Sequence, residues 1–337
     1  MSVKQRRNLD PETLASAVLA GERRALARAI TLIESTRADH RDAAADLLER
    51  LTPYAGNSMR LGISGVPGVG KSTFIEAFGN YLIDQQHRVA VLSVDPSSAL
   101  SGGSILGDKT RMERLCQRPE AFIRPSPAGR TLGGVTRRTR ESMLLCEAAG
   151  FDVVIVETVG VGQSETAVAE MTDMFILLLL PSGGDELQGI KRGIMELADL
   201  ILVNKADGDL EAPARRSVAD YRNALRLLRP RSAHWTVPVE PCSALNHRGI
   251  AEVWATVRRY RQALSSHGEI IARRAAQARA WMWTETAESL VTALKENPRV
   301  RRRIPDLEAA VTEGRLPPTI AARQLIEAFL HRTIESD

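Results

Sequence analysis

Between Pro11 and Leu51 the apolar residues return every three or four positions. Leu14, Val18, Leu26, Ile30 and Ile33 keep that spacing, and a second segment ends in "AAADLLERL". This periodicity predicts amphipathic helices. "TPYAGNS" interrupts it with Pro53, Gly56 and Asn57, residues that break periodic structure and mark a boundary. From Arg60 the pattern changes. Short continuous apolar runs ("RLGIS", "RVAVLSV", "FDVVIVE", "MFILLLL", "DLILVN", "TVPVEPCSA") alternate with helical stretches. Strands that are apolar throughout are covered on both faces, which predicts a parallel sheet with helices on either side. The expected fold class is therefore α/β, a doubly wound and mostly parallel sheet whose ligands bind beyond the carboxyl ends of the strands.

After about Gln262 the strand signals stop. "EIIARRAAQARAWMWTETAESLVTALKE" reads as one long helix, and "IAARQLIEAFLHR" as a shorter one after the turn at Pro317 and Pro318. The expected organisation is an N-terminal helical segment over 1–56, an α/β domain over 57–262 and a C-terminal helical arm over 263–337. Trp281, Met282 and Trp283 are consecutive, and a helix turns about 100° per residue, so at least one faces away from the host domain. A helix packed on two sides and a subunit interface both account for this.

Composition narrows the class. With 44% hydrophobic and 26% charged residues the chain is an ordinary globular one. A net charge of +4, from 45 basic against 41 acidic residues, is too even to argue for nucleic acid. The run "RVRRR" (Arg299 to Arg303) reads as the start of a surface helix. The basic "MSVKQRRNLD" has no apolar segment after it, unlike a secretory signal. "MFILLLL" is too short to span a bilayer. Cys116, Cys146 and Cys242 form no Cys-x-x-Cys pair, and the six histidines make no metal-ligand spacing. These features predict a cytoplasmic protein without membrane or nucleic-acid partners.

"GVPGVGKST", Gly65 to Thr73, fits Gly-x-x-x-x-Gly-Lys-[Ser/Thr] between a predicted strand and a predicted helix. Gly65, Gly68 and Gly70 permit backbone angles that turn successive N–H groups toward phosphate oxygens, with Val66, Pro67 and Val69 between them. The helix N-terminus adds partial positive charge. Lys71 is expected to bridge the β- and γ-phosphates, Ser72 to ligate Mg²⁺, and Thr73 to complete the cradle. Downstream, "LILVNKADG" ends a strand in Asn204-Lys205-Ala206-Asp207. The Asp207 carboxylate can accept from guanine N1–H and its exocyclic amino group, whereas adenine offers neither and would leave a buried acceptor unpaired. Asn204 supports the loop and the Lys205 stem lies along the base. "CSALN" provides a second base loop through Ser243, Ala244 and Leu245. GTP or GDP is thus the expected nucleotide.

Three carboxylates stand where magnesium is expected: Asp95 after "VAVLSV", Asp108 in "GGSILGDKTRM" and Glu157 at the end of "FDVVIVE". Mg²⁺ keeps several waters and takes few protein oxygens, so Ser72 with outer-shell carboxylates is the expected set. Turn or helix-cap duty remains open for Asp95 and Asp108. Glu157 keeps a four-residue spacing to Gly160, whose N–H can meet the γ-phosphate. Val161 follows, at the place where small GTPases put a water-orienting glutamine, and Gln163 is two further on. Slow intrinsic hydrolysis, raised by a partner, is expected. "PSGGDELQGIKRG" (Pro181 to Gly193) has the composition of a mobile loop. Either Lys191 or Arg192 reaches the phosphates as the loop closes, or the segment is an exposed loop running into a helix.

Taken together, "GVPGVGKST", "VDPSS", "GGSILGDKTRM", "FIRPSP", "LGGVTRRTRE", "LLCEAAGFDVVIVETVGVGQSE", "GDELQGIK" and "VNKADG" resemble the MeaB/ArgK family. These are the GTPases associated with methylmalonyl-CoA mutase, of the SIMIBI class of P-loop GTPases. The resemblance implies a P-loop GTPase domain and a homodimeric GTP-binding chaperone. Such a chaperone acts on an adenosylcobalamin-dependent mutase, gating cofactor loading and protecting or reactivating the enzyme. It also implies that Ser72, Asp95, Asp108 and Glu157 surround Mg²⁺. Asp185 to Lys191 would then form a switch loop facing the mutase, and the C-terminal helices a dimer arm. Leu100 in "SSALSGG" and Arg130 in "SPAGRTLGG" depart from the family pattern, which leaves partner contacts there open. Two alternatives are a kinase acting on a transport protein, and a metallochaperone GTPase for another metalloenzyme. The second would call for a His-rich or Cys/His tract, which this sequence lacks.

Overall fold

The structure is a computed structural model that describes residues 10–35, 37–95, 112–126, 132–159, 164–181 and 192–330. Three helices come first: α1 (Pro11–Leu19), α2 (Arg23–Ile33) and α3 (Ala38–Leu51). Asp10 caps α1 by accepting from Thr13 N at 3.0 Å, which satisfies one of the otherwise orphaned N-terminal donors. The periodic stretch breaks at Gly21, whose φ of 76° is open to glycine.

The α/β region follows: β1 (Met59–Gly65), α4 (Lys71–Asp84), β2 (Val89–Val94), α5 (Glu113–Gln117), β3 (Ala121–Arg124), α6 (Leu132–Ala148) and β4 (Val153–Thr158). It continues with α7 (Ser164–Ala169), β5 (Met174–Leu179), α8 (Arg192–Leu197), β6 (Leu200–Val203), α9 (Glu211–Leu225), β7 (Val239–Pro241) and α10 (Ile250–Ser265). The seven strands lie in the order β3-β2-β4-β1-β5-β6-β7, and every pairing is parallel. This is the doubly wound, mostly parallel sheet expected of a P-loop GTPase domain. The apolar runs correspond to six strands. The seventh, β3, pairs only with β2 at the edge of the sheet, and its four residues end in Arg124 before Pro125. Its Ala121, Phe122 and Ile123 are buried, but three apolar residues before an arginine are too few to stand out as a run.

Side-chain alternation sorts the strands into two cores. On one face, Ala90, Leu92, Val94, Val154, Val156, Leu177 and Val203 pack with α1, α2, α3, α6 and α9. On the other, Val89, Val91, Val153, Ile155, Ile63, Ile176 and Leu202 pack with α4 and α10. By the same period of two, Ser93, Asp95 and Glu157 fall on the α4 face, at the carboxyl ends of β2 and β4.

The start of β1 is pinned by charge. Arg60 Nε and Nη2 donate to the two Glu147 oxygens of α6, each at 2.8 Å, and Ser58 Oγ and Gly56 N donate to the same carboxylate. Burial pushes the Glu147 carboxyl up, but the Arg60 guanidinium, the Ser58 hydroxyl and the Gly56 N–H outweigh it. The group is held below its ordinary value.

The remaining helices are α11 (Glu269–Glu296), α12 (Pro298–Thr312) and α13 (Pro318–Leu330). The chain divides into two units, Met1–Arg274 and Ala275–Asp337. The division falls where α11 loses its anchors. Arg274 donates to both Asp173 carboxylate oxygens at 2.7 and 2.6 Å, and Arg273 donates to Asp173 O and to Asp199 Oδ2. In the second unit Asn297 caps α12 by accepting from Arg299 N, and Arg299 to Arg303 lie in the opening turns of that helix. Met282 and Trp283 are exposed there, whereas Trp281 is half-buried. Among the described residues no helix is long and apolar enough to cross a membrane.

Candidate functional site

The phosphate-loop motif lies between β1 and α4, beyond the carboxyl end of a central strand. Val66, Pro67 and Gly68 are exposed, while Val69 is buried and seats the loop on the core. Gly68 and Gly70 have φ of 78° and 89°, the left-handed region that favours glycine. Gly65 is required for a different reason, because a Cβ there would lie 2.5 Å from Leu178 O of the neighbouring strand. Ser72 is half-buried and Thr73 exposed on the first turn of α4. Lys71 Nζ donates to Gly65 O at 2.7 Å, which brings the ammonium back over the loop.

The second motif lies beside the first. Asn204 is 1% exposed at the end of β6. Its Nδ2 donates to Val69 O at 2.8 Å, and its Oδ1 accepts from Ala244 N at 3.1 Å. One buried amide therefore joins the phosphate loop, the "NKAD" loop and the "CSALN" loop. Lys205 is exposed with φ of 59°. The Asp207 carboxylate accepts from Ser243 Oγ, which in turn accepts from Asn246 N at 3.2 Å. Ser243 and Ala244 are buried, whereas Leu245 projects at 74% exposure. Cys242 is also buried, which pushes its thiol up to about 12, with Glu240 adding to the shift. A thiol that stays protonated at neutral pH is not a nucleophile.

Gly70 connects the two loops sterically, since a Cβ on it would lie 2.9 Å from Asn204 Nδ2. We expect Gly70→Ala to weaken GDP and GTP binding together by about tenfold or more, through its left-handed backbone and that contact. Equilibrium titration with a fluorescent GDP analogue measures this, and unchanged affinity for both nucleotides would count against the coupling.

The acidic strand ends meet next to the phosphate loop. Glu157 is 2% exposed and pairs in register with Ser93 on one side and Ile63 on the other. Ser93 Oγ donates to Glu157 Oε1 at 3.0 Å. Asp95 is buried two residues beyond Ser93, and its N–H donates to Ser126 Oγ at 2.9 Å. Buried carboxylates at two adjacent strand ends are the hard oxygen donors that Mg²⁺ takes directly or through water. Among the described residues no group of three or more His, Cys, Asp and Glu side chains could hold a metal by itself. Asp108, Gly160 and Lys191 lie outside the described residues, as do Leu100, Arg130, Val161 and Gln163. Ser93 was not among the sequence-derived site residues. Its signal was the strand alternation that puts it on the same face as Glu157.

A family profile described as "Methylmalonyl Co-A mutase-associated GTPase MeaB" matches residues 26–299. The chain belongs to the MeaB family. GTP hydrolysis is the activity of these GTPases, and nucleotide and magnesium binding go with membership. "GTPase ArgK" of Escherichia coli is 49% identical over 91% of this chain and 93% of its own. "Methylmalonic aciduria type A homolog, mitochondrial" of mouse is 49% identical over 98% of this chain and 82% of its own. A crystal structure titled "LAO/AO transport system kinase" superimposes with a TM-score of 0.75 at 40% identity, covering 98% of this chain and all of that one. As a MeaB-family protein, the chain carries the phosphate loop, the "NKAD" loop and the buried Glu157 within the matched span.

Proposed function

We propose that the protein is a GTP-driven chaperone of an adenosylcobalamin-dependent methylmalonyl-CoA mutase, gating cofactor loading and protecting or reactivating that enzyme. The observation that carries the nucleotide part is the single buried amide of Asn204 bonded to both the phosphate loop and the base loop. A base read at Asp207 is thereby registered against phosphates held 65–73. The mutase part is supported by the family description and by relatives that share nearly the whole chain.

In this reading the amides of Gly65 to Gly70 and the α4 N-terminus hold the phosphates, and Lys71 bridges the β- and γ-groups. Ser72, Asp95, Asp108 and Glu157 hold Mg²⁺, which neutralises charge developing on the phosphates when bound. Gly160 N–H meets the γ-phosphate, and Lys191, which precedes α8, reaches it as well. Asp207 and Lys205 read the guanine, with Ser243, Ala244 and Leu245 forming the far wall. Intrinsic turnover is slow because Val161 replaces a water-orienting glutamine. The chain is a homodimer through its C-terminal arm, where Trp283 and Leu290 are both exposed two helical turns apart on α11.

The test is a pull-down with B12-dependent mutases in GDP and in a non-hydrolysable GTP analogue, followed by turnover with the mutase added. Nucleotide-dependent capture and faster hydrolysis are expected. Capture of no mutase in either state, or transfer of the γ-phosphate to a protein side chain instead of water, would overturn the proposal.

A further inference from the structure

A cavity of about 550 Å³ lies in the first unit, under the amino ends of β6 and β7. The nucleotide loops are at the carboxyl ends of the same strands, and none of the phosphate- or base-loop residues lines this hollow. Its floor is apolar, with Met195 and Ala198 from the α8 end, Leu225 and Leu228 from the α9 end, and Val237 and Val239 from the run into β7. Its rim is basic: Arg222, Arg226, Arg229 and Arg231 all line it.

Two of these guanidinium groups are fixed by backbone carbonyls. Arg222 Nη2 donates to Val239 O at 2.8 Å, and Arg231 Nη1 donates to Leu197 O at 2.6 Å. Arg231 also stands 3.7 Å from Asp199. Arg226 and Arg229 have no acidic partner among the described residues. Two carboxylates also line the hollow: Glu196, which is engaged by another group, and Glu240. Glu240 Oε1 accepts from Thr256 Oγ1 at 2.9 Å and lies 3.7 Å from Arg259, while its Oε2 is buried without a hydrogen-bond partner among the described residues. Four arginines thus face two acids. Arg222 and Arg226 sit at the carboxyl end of α9 and complement its dipole. That accounts for two arginines, but not for Arg229 and Arg231, which lie past the helix.

We propose that this hollow binds a small amphipathic anion, a phosphate or carboxylate head held by Arg226 and Arg229 with an apolar body lying on Leu225, Val237 and Met195. The volume is that of a small-molecule site, which combines apolar walls with a few convergent polar groups. Arginine suits the head because its planar fork meets two oxygens of one anion. The anchored Arg222 and Arg231 supply field at the opening without having to be ordered on binding.

The experiment uses the full chain saturated with GDP and Mg²⁺, so that the phosphate loop is blocked. Octyl phosphate below its micelle concentration is titrated by calorimetry, with octanol, inorganic phosphate and anionic lipid vesicles as parallel probes. Saturable one-to-one binding of octyl phosphate is expected, with octanol and inorganic phosphate each weaker by about tenfold or more. Arg226→Ala/Arg229→Ala should weaken octyl phosphate by at least about tenfold, and Val237→Trp, which fills the floor, should do the same. Unchanged GDP affinity and melting temperature in both variants show that the fold is intact. Absence of saturable binding, octanol binding as tightly, full affinity in the double variant, or binding to vesicles alone would each overturn the proposal.

Discussion

Asp207→Asn is expected to lower GTP affinity by about a thousandfold and to create affinity for xanthosine triphosphate. The carboxylate can accept only, which matches the N1–H and amino donors of guanine. An asparagine amide presents one acceptor and one donor, so its NH₂ faces the guanine amino group. The amino group's bond to a charged acceptor, about 2 kcal/mol, is lost, and two facing donors left unpaired cost about 1–3 kcal/mol more, which together is about three decades of affinity. Xanthine keeps N1–H and replaces the amino group with a carbonyl, so the same asparagine pairs with it fully. Ser243 Oγ, which donates to Asp207, can donate to the amide oxygen as well, so the loop keeps its brace. Competition of GTP, ATP and xanthosine triphosphate against a fluorescent GDP analogue gives the three affinities. Unchanged preference for GTP in the variant would remove Asp207 from the base site.

Glu157→Gln and Glu157→Ala are both expected to reduce Mg²⁺-dependent GTP hydrolysis by about a hundredfold, the scale of removing one preorganised electrostatic group. GDP binding should fall by less than about threefold, because ground-state affinity rests on the phosphate loop and the base loops. The pair of variants separates chemistry from stability. Glutamine keeps an oxygen where Ser93 Oγ donates at 3.0 Å, whereas alanine withdraws that acceptor from a buried hydroxyl. Only Glu157→Ala should lower the melting temperature, by the equivalent of about 1–3 kcal/mol for an unsatisfied buried donor. Single-turnover hydrolysis, GDP titration and thermal unfolding on the same preparations check all three. Equal loss of turnover and GDP affinity would assign Glu157 to folding of the site.

Most of this architecture was legible in the order of the residues. A parallel sheet with both faces covered writes itself as runs such as "VVIV" and "MFILLLL", because every side chain of a central strand is buried. The glycines of the phosphate loop were legible for the same kind of local reason, since a φ near 80–90° at Gly68 and Gly70 excludes most other residues. Placing Asn204 and Asp207 in a loop directly after a strand likewise needed only the local pattern. β3 was not legible, since an edge strand of four residues carries no periodic signal of its own. α11 is one continuous helix, and the division after Arg274 comes from ion pairs to Asp173 and Asp199, 101 and 74 residues away in the chain.

Backbone angles, strand burial and turn chemistry are local, so the sequence specifies the loops and the sheet without reference to distant partners. Contacts between loops are not local. That Asn204 holds Val69 and Ala244 at once, that Gly65 must lack a Cβ because Leu178 O lies beside it, and that Ser93 donates to Glu157 depend on strand order and register. So does the arginine-rimmed hollow, which gathers the ends of α8 and α9 with the run into β7 at the foot of the sheet. Strand order is set by how the whole chain buries its two apolar faces, a property no single segment contains.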